Sequence, residues 1–167
     1  MNKNFNRFTI KAQEALQNAQ DLAAQRSHGE LRSLHLLSAL IADSQSLVQP
    51  LLTRAGINLD SLDNSIEEEF KKIPKIFSAS SSPAQLYLSQ ELMQVLDRAA
   101  KIAVIQKDEF ISCEHLLLGI LDTASAAQSI LERAGFRRET ALRTLAQLRG
   151  STRVTDETPE SKFQVLE

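Results

Sequence analysis

Two segments of this chain carry nearly the same sequence, and this internal repeat constrains the fold more than any other feature. Residues 34–41 read LHLLSALI, and residues 114–121, which lie 80 positions later, read EHLLLGIL. Residues 52–56 read LTRAG and recur as LERAG at 131–135, now 79 positions later. A duplicated unit predicts a fold with internal pseudo-symmetry, and a binding surface is commonly found where the two copies meet.

The spacing of apolar residues predicts an all-α fold of eight helices, four in each copy, with no convincing strand. The expected helices span 9–26, 34–42, 47–55 and 59–72 in the first copy, and 89–103, 114–121, 126–134 and 139–148 in the second. Thr9, Ser89 and Ser112 stand where N-caps are preferred, and Gly56 and Gly135 stand where helices stop. We expect one domain at 1–150, with repeats at 9–74 and 89–150 and a polar link at 75–88.

Composition argues against several classes of protein. The chain has 167 residues, 43% of them hydrophobic, which is enough for one domain with a buried core. Its 19 basic and 21 acidic residues give a net charge of −2, so there is no electrostatic reason to expect a nucleic-acid or membrane partner. Cys113 is the only cysteine, which favours a reducing compartment. Neither an apolar run of about 18 residues nor the apolar core of a signal peptide is found, and we expect a cytoplasmic protein.

The sequence contains no recognisable motif for catalysis or cofactor binding. It has no phosphate-binding loop, no Gly-x-Gly-x-x-Gly and no Cys-x-x-Cys, so we expect neither a cofactor nor a metal. His28, His35 and His115 are not spaced as metal ligands on one helix. His115 follows Ser112 by three residues, the place from which a side chain reaches back to close a helix start. We interpret it as a buried capping residue rather than as the partner of a nucleophilic Cys113.

Several blocks, in the right order, resemble the amino-terminal domain of Clp-type AAA+ unfoldases, and the similarity is greatest to the ClpB disaggregases. These blocks are 8–16 (FTIKAQEAL), 86–92 (LYLSQEL) and 110–117 (FISCEHLL), together with the Ala-Gly helix ends. Residues 153–156 (RVTD) and 163–167 (FQVLE) resemble the linker that leads into the first ATPase module of that family. We therefore expect 151–167 to be a linker, and the chain to be one domain of a longer protein.

The resemblance implies a substrate-recognition domain built from two pseudo-twofold four-helix repeats. Such a domain captures exposed apolar segments of unfolded or aggregated proteins. The isolated domain is expected to be a monomer without enzymatic activity, whereas the parent protein would be a hexamer that uses ATP and Mg²⁺ and works with the DnaK system. A stand-alone adaptor of the same fold that docks on a Clp unfoldase or protease remains an alternative, and an enzyme is disfavoured by the missing catalytic residues.

Residues tied to substrate work in this family fall on Thr9, Asp108 and Glu114 of this chain. Each also has a purely structural interpretation: Thr9 as an N-cap, Glu114 as a favourable charge in a first helical turn, and Asp108 as a solvated residue of a polar turn. The sister ClpC proteins carry Glu-His in both repeats and bind phosphoarginine with the two glutamates. Here the first repeat has Leu34 instead, so half of that guanidinium-binding arrangement is lost and phosphoarginine recognition is not expected.

One edge of the longest helix differs between the copies. Met93, Ala100 and Val104 lie side by side in the second copy, where the first copy has Gln13, Gln20 and Ala24. The shared core does not require this extra apolar surface, and methionine suits a surface that adapts to varied partners. We predict that Met93 and Val104 form one wall of a client groove, with Gln13 and the start of the first helix as the other. The alternative is that the edge packs against link residues, namely Ile76, Phe77 or Tyr87.

Overall fold

The computed structural model describes residues 7–76 and 86–150 and shows the eight expected helices in this part of the chain. The first copy contains α1 (Ile10–Gln25), β1 (Glu30–Leu31), α2 (Ser33–Ala42), α3 (Val48–Arg54) and α4 (Leu59–Phe70). The second contains β2 (Tyr87–Leu88), α5 (Gln90–Ile105), α6 (Cys113–Leu121), α7 (Ala126–Arg133) and α8 (Arg138–Arg149). The all-α class is confirmed. The predicted linker at 151–167 and most of the predicted link, with Phe77, lie outside the described residues.

The predicted helix boundaries are confirmed to within a few residues because the capping residues act as expected. The hydroxyl of Thr9 accepts a hydrogen bond from Ala12 N at 3.1 Å. The hydroxyl of Ser89 accepts one from Leu92 N at the same distance. Gly56 and Gly135 follow α3 and α7 with φ of 87° and 97°, a conformation in which glycine is favoured.

The expectation of no strand is wrong in one respect. β1 and β2 form a two-stranded parallel sheet, and an isolated parallel bridge joins Phe8 to Ile111. In each case the segment that precedes the longest helix of one copy pairs with the segment that follows the longest helix of the other. These pairings are too short to produce a recognisable alternation in the sequence. They fasten the two copies together around the pseudo-twofold axis.

The core is centred on the two short apolar helices. All nine residues of α6 are buried, and so are eight of the ten in α2. α6 packs so closely on α5 that a Cβ on Gly119 would lie 2.7 Å from the backbone oxygen of Val95. None of the described helices is long and apolar enough to cross a membrane.

Candidate functional site

A groove of about 240 Å³ opens beside the first half of α5, where the sequence predicts a binding wall. Met93 is 50% exposed and lies at its edge. The lining is mostly apolar and comes from both copies: Phe8, Leu88, Met93, Leu96, Asp97, Ala100 and Ile111. The groove therefore lies at the seam, where the Phe8–Ile111 bridge and β2 meet α5.

The structure brings only some of the predicted groove residues together. Met93 and Ala100 line the groove, and Phe8 supplies the wall expected from the start of α1. Gln13 is not a lining residue, but its side-chain amide donates to the carbonyl of Phe8 at 3.0 Å. Val104 is 61% exposed, one helical turn beyond Ala100, and is not part of the lining.

Of the link residues proposed as an alternative cover for this edge of α5, the described ones, Ile76 and Tyr87, do not line the groove, whereas Leu88 at the end of the link does. Ile76 lies beyond the end of α1, where its side chain occupies the space that a Cβ on Gly29 would take. Its backbone N–H also donates to Ser27 O at 2.7 Å, which holds it there. Tyr87 is 64% exposed and does not line the groove. Met93 thus remains half exposed rather than packed against Ile76 or Tyr87.

Sequence reasoning missed Leu88 and Ile111 as groove residues. Both belong to the short parallel pairings, which place them beside α5 although Ile111 follows that helix in the chain. The sequence held one signal for Leu88. Residues 7–8 and 87–88 are equivalent in the repeat, and both directly precede a capped helix, so a wall at Phe8 predicts a second one at Leu88.

Thr9 lies beneath the groove and is fully buried. Besides capping α1, its backbone N–H donates to Ile111 O at 2.9 Å, and Ile111 N donates to Arg7 O at 2.7 Å. Thr9 therefore holds the bridge that carries two lining side chains, Phe8 and Ile111, and is not itself a lining residue.

Asp108 is buried, so the interpretation of a solvated turn residue is wrong. Its Oδ1 accepts from Arg149 at 2.6 Å, and its Oδ2 accepts from Arg149 at 2.9 Å. Oδ2 also lies 2.8 Å from Nε2 of His115. Because Nδ1 of His115 accepts from Ser112 N at 2.9 Å, the neutral ring donates from Nε2 to Asp108. The predicted role of His115 in closing a helix start is confirmed.

Glu114 is 1% exposed at the start of α6 and lies near the same cluster. Its Oε1 is buried without a hydrogen-bond partner among the described residues. Burial opposes the charge of Arg149, but the hydrogen bonds to Asp108 and the charge of Glu114 outweigh it and raise the pKa of the guanidinium. Asp108, Glu114 and Arg149 thus form an internal charged cluster rather than a surface that faces solvent.

The first copy fills the equivalent place with aromatic rings. His28, His35 and Phe70 stand where the second copy has Asp108, His115 and Arg149. His35 stacks on Phe70 with ring centroids 5.2 Å apart, and its Nε2 lies 2.8 Å from Nδ1 of His28. Burial, followed by the proximity of His28, lowers the pKa of His35 to about 4.

The described residues contain no group of three or more His, Cys, Asp or Glu side chains placed to bind a metal ion. Comparison with known proteins explains the duplicated architecture. A model of the Clp repeat (R) N-terminal domain matches residues 7–134. The chain belongs to the Clp N-terminal domain family. The resemblance inferred from the sequence is therefore confirmed.

Relatives of this Clp N-terminal domain are chaperones named ClpB. The chain is 32% identical to the chaperone protein ClpB of Bacillus cereus over 162 residues, which cover 97% of this chain and 19% of that protein. It is 33% identical to the Porphyromonas gingivalis ClpB over 164 residues, covering 98% of this chain and 18% of the relative. The chain thus spans about a fifth of the length of these relatives.

Solved structures of Clp N-terminal domains share the fold. The Hsp104 N-terminal domain from Candida albicans matches with a TM-score of 0.78 at 29% identity, covering 92% of this chain and 98% of that one. A complex of the ClpV N-domain with a VipB peptide matches with a TM-score of 0.65 at 20% identity, covering 86% and 88%. Together with the relatives, these matches make the chain a Clp N-terminal domain of the ClpB and Hsp104 type.

Proposed function

We propose that this domain captures exposed apolar segments of unfolded or aggregated proteins for a ClpB-like disaggregase. The observation that carries the proposal is the apolar groove beside α5, with Met93 half exposed at its edge. The equivalent position in the first copy is Gln13, so the apolar edge is not a requirement of the shared fold. Covering such a surface removes apolar area from water, which stabilises a complex.

The size of the groove supports a small apolar occupant. A volume of about 240 Å³ accommodates one or two apolar side chains rather than a folded partner. Each contact is therefore weak and tolerant of sequence, which suits a domain that receives many different clients. Several copies in a hexameric parent would strengthen capture through effective concentration.

The comparisons support this proposal by family and by analogy. The relatives that match nearly all of this chain are named chaperones, and a ClpV N-domain of the same fold was solved in complex with a peptide. We further propose that the parent of this chain is a cytoplasmic hexamer that uses ATP and Mg²⁺ and cooperates with the DnaK system. The chain itself would contribute recognition.

Thr9, Asp108 and Glu114 support the groove from behind in this proposal. Thr9 holds Ile111 through its backbone, and Asp108 ties the loop before Ile111 to Arg149. Since all three are buried, substitutions at these positions would alter client binding by shifting groove residues. Direct client contact falls to Met93 and its neighbours in the lining.

The test places a charge in the groove. Met93→Asp puts a carboxylate beside Asp97 and should reduce binding of an unfolded, apolar client at least about tenfold, because the charge would have to be buried. Gln94→Asp is the matched control, since Gln94 is exposed, adjacent on α5 and outside the lining. Both variants should melt within a few degrees of the parent. Client binding by a folded Met93→Asp variant that equals that of the control would refute the proposed site.

A further inference from the structure

The main chain of Leu88 presents an open hydrogen-bonding edge beside the groove. Tyr87 N donates to Gly29 O at 3.2 Å and Ser89 N donates to Leu31 O at 2.9 Å, so the residues on either side of Leu88 face β1. In a parallel pair the intervening residue directs its N–H and C=O to the opposite side. Among the residues that the structure describes, those two groups of Leu88 make no hydrogen bond.

The first copy closes the equivalent edge with a side chain. Phe8 is the counterpart of Leu88, and its carbonyl accepts from the side-chain amide of Gln13 at 3.0 Å. The counterpart of Gln13 is Met93, whose thioether has no donor. The same substitution that makes the groove apolar therefore also leaves the carbonyl of Leu88 without this partner.

The open edge and the apolar lining belong to one surface. The side chain of Leu88 lines the groove, whereas the preceding Tyr87 side chain is 64% exposed on the other face of the strand. A strand added next to β2 would place alternate side chains on the same face as Leu88, towards Met93 and Phe8. Backbone pairing gives affinity without regard to sequence, while the pocket selects an apolar side chain.

We propose that an extended client segment pairs with Leu88 as a third strand beside β2 and inserts an apolar side chain between Met93 and Phe8. The preferred client is a proline-free segment with alternating apolar residues, because each proline would remove a donor from the new pairing. This inference rests on the proposed function, since it specifies how the same groove holds its client.

The most direct readout is hydrogen exchange at the Leu88 amide, followed by NMR with a short synthetic peptide of alternating valine and threonine. Exchange at Leu88 should slow at least about tenfold at saturating peptide. The same peptide should bind at least about tenfold more weakly when it is N-methylated on the residue whose N–H points towards the carbonyl of Leu88. Methylation of the next residue, whose N–H points away from Leu88, should leave the affinity unchanged.

Two variants separate backbone pairing from apolar contact. Met93→Gln recreates the closing amide of the first copy and should weaken the peptide about tenfold, whereas Met93→Leu keeps the apolar wall and should bind like the parent. Two results would overturn the strand pairing and leave the proposed groove intact. One is peptide binding at the groove without slower hydrogen exchange at Leu88, and the other is an equal loss of affinity on methylation of either peptide residue. Failure of the groove itself is recognised separately, by full client binding in Met93→Asp.

Discussion

His35 and His115 occupy equivalent places in the two repeats, yet one is surrounded by aromatic rings and the other by charges. Both rings accept a backbone N–H at 2.9 Å and so close the start of an apolar helix. Their second nitrogens face different partners, His28 in the first copy and Asp108 in the second. The local role of each histidine is retained while its surroundings differ, which makes separate predictions possible for the two copies.

Removing one partner of the buried ion pair should be costly. Asp108→Ala or Arg149→Met leaves an uncompensated charge in the interior and should lower the free energy of unfolding by about 3–5 kcal/mol. The double variant Asp108→His with Arg149→Phe rebuilds the aromatic arrangement of the first copy. It should lose much less than the sum of the losses of Asp108→His and Arg149→Phe measured singly. Urea denaturation of the set measures this, and additive losses would show that the two residues do not act as a pair.

Acid should destabilise the domain through the first copy. The pKa of His35 is about 4 in the fold, below its usual value near 6.5. The folded state therefore disfavours protonation, and stability is complete above pH 6.5 and declines as pH falls towards 4. The full decline attributable to His35 is about 3 kcal/mol.

The charged groups that act on His35 in the described part of the chain are His28, Arg32 and Arg26, all of which oppose its protonation. Burial and the positive charges of Arg26, Arg32 and Lys75 also lower the pKa of His28. His35→Asn keeps an acceptor for Arg32 N–H without a titrating ring, so its urea midpoint should fall less between pH 7 and pH 4.5 than that of the parent. An unchanged acid dependence in this variant would exclude His35 as the cause.

At the scale of elements, the longest helix packs closer to the short apolar helix in the second copy than in the first. Gly119 in α6 lies against the backbone of α5, whereas its counterpart in α2 is Ala39, which is 7% exposed. Alanine is the better helix former by about 1 kcal/mol, so propensity alone would favour Gly119→Ala. The close approach of Val95 O should dominate, because a backbone atom cannot move aside as a flexible side chain does.

Gly119→Ala should therefore destabilise the domain by about 1–3 kcal/mol. Ala39→Gly is the comparison in the first copy and should also destabilise, by about 1 kcal/mol, because that copy accommodates a Cβ. Thermal unfolding monitored by circular dichroism measures both. Stabilisation by Gly119→Ala would mean that α5 and α6 separate without cost.

The elements that could be predicted from the sequence are those with local signals. Eight helices follow from apolar periodicity and from caps such as Thr9 and Ser89, which act within a few residues. The strands could not be predicted, because pairings of two residues join segments far apart in the chain. Burial of Asp108 was missed for the same reason, since Arg149 lies 41 residues away.

At the scale of the whole molecule, the two copies share one fold, but only the second copy has an apolar edge at its longest helix. The paired segments at the pseudo-twofold axis place Phe8 and Leu88 in equivalent positions, and the flanking helices present Gln13 on one side and Met93 on the other. A groove lies along α5 at Met93 and Ala100, where the sequence predicts a client-binding wall, whereas Val104 lies beyond its lining. Its further walls depend on contacts between copies, which a single sequence does not reveal. Client binding at this groove stays a prediction.

The central claim is that only the second-copy edge receives a client, and NMR titration of the labelled domain with an unfolded, apolar-rich protein tests it most directly. We expect the largest amide shifts at Leu88, Met93, Leu96, Ala100 and Ile111. The equivalent first-copy positions, namely Phe8, Gln13, Leu16, Gln20 and Leu31, serve as internal controls, of which Phe8 alone should shift because it also lines the groove. Shifts of similar size along both α1 and α5, or shifts confined to another surface, would contradict the account.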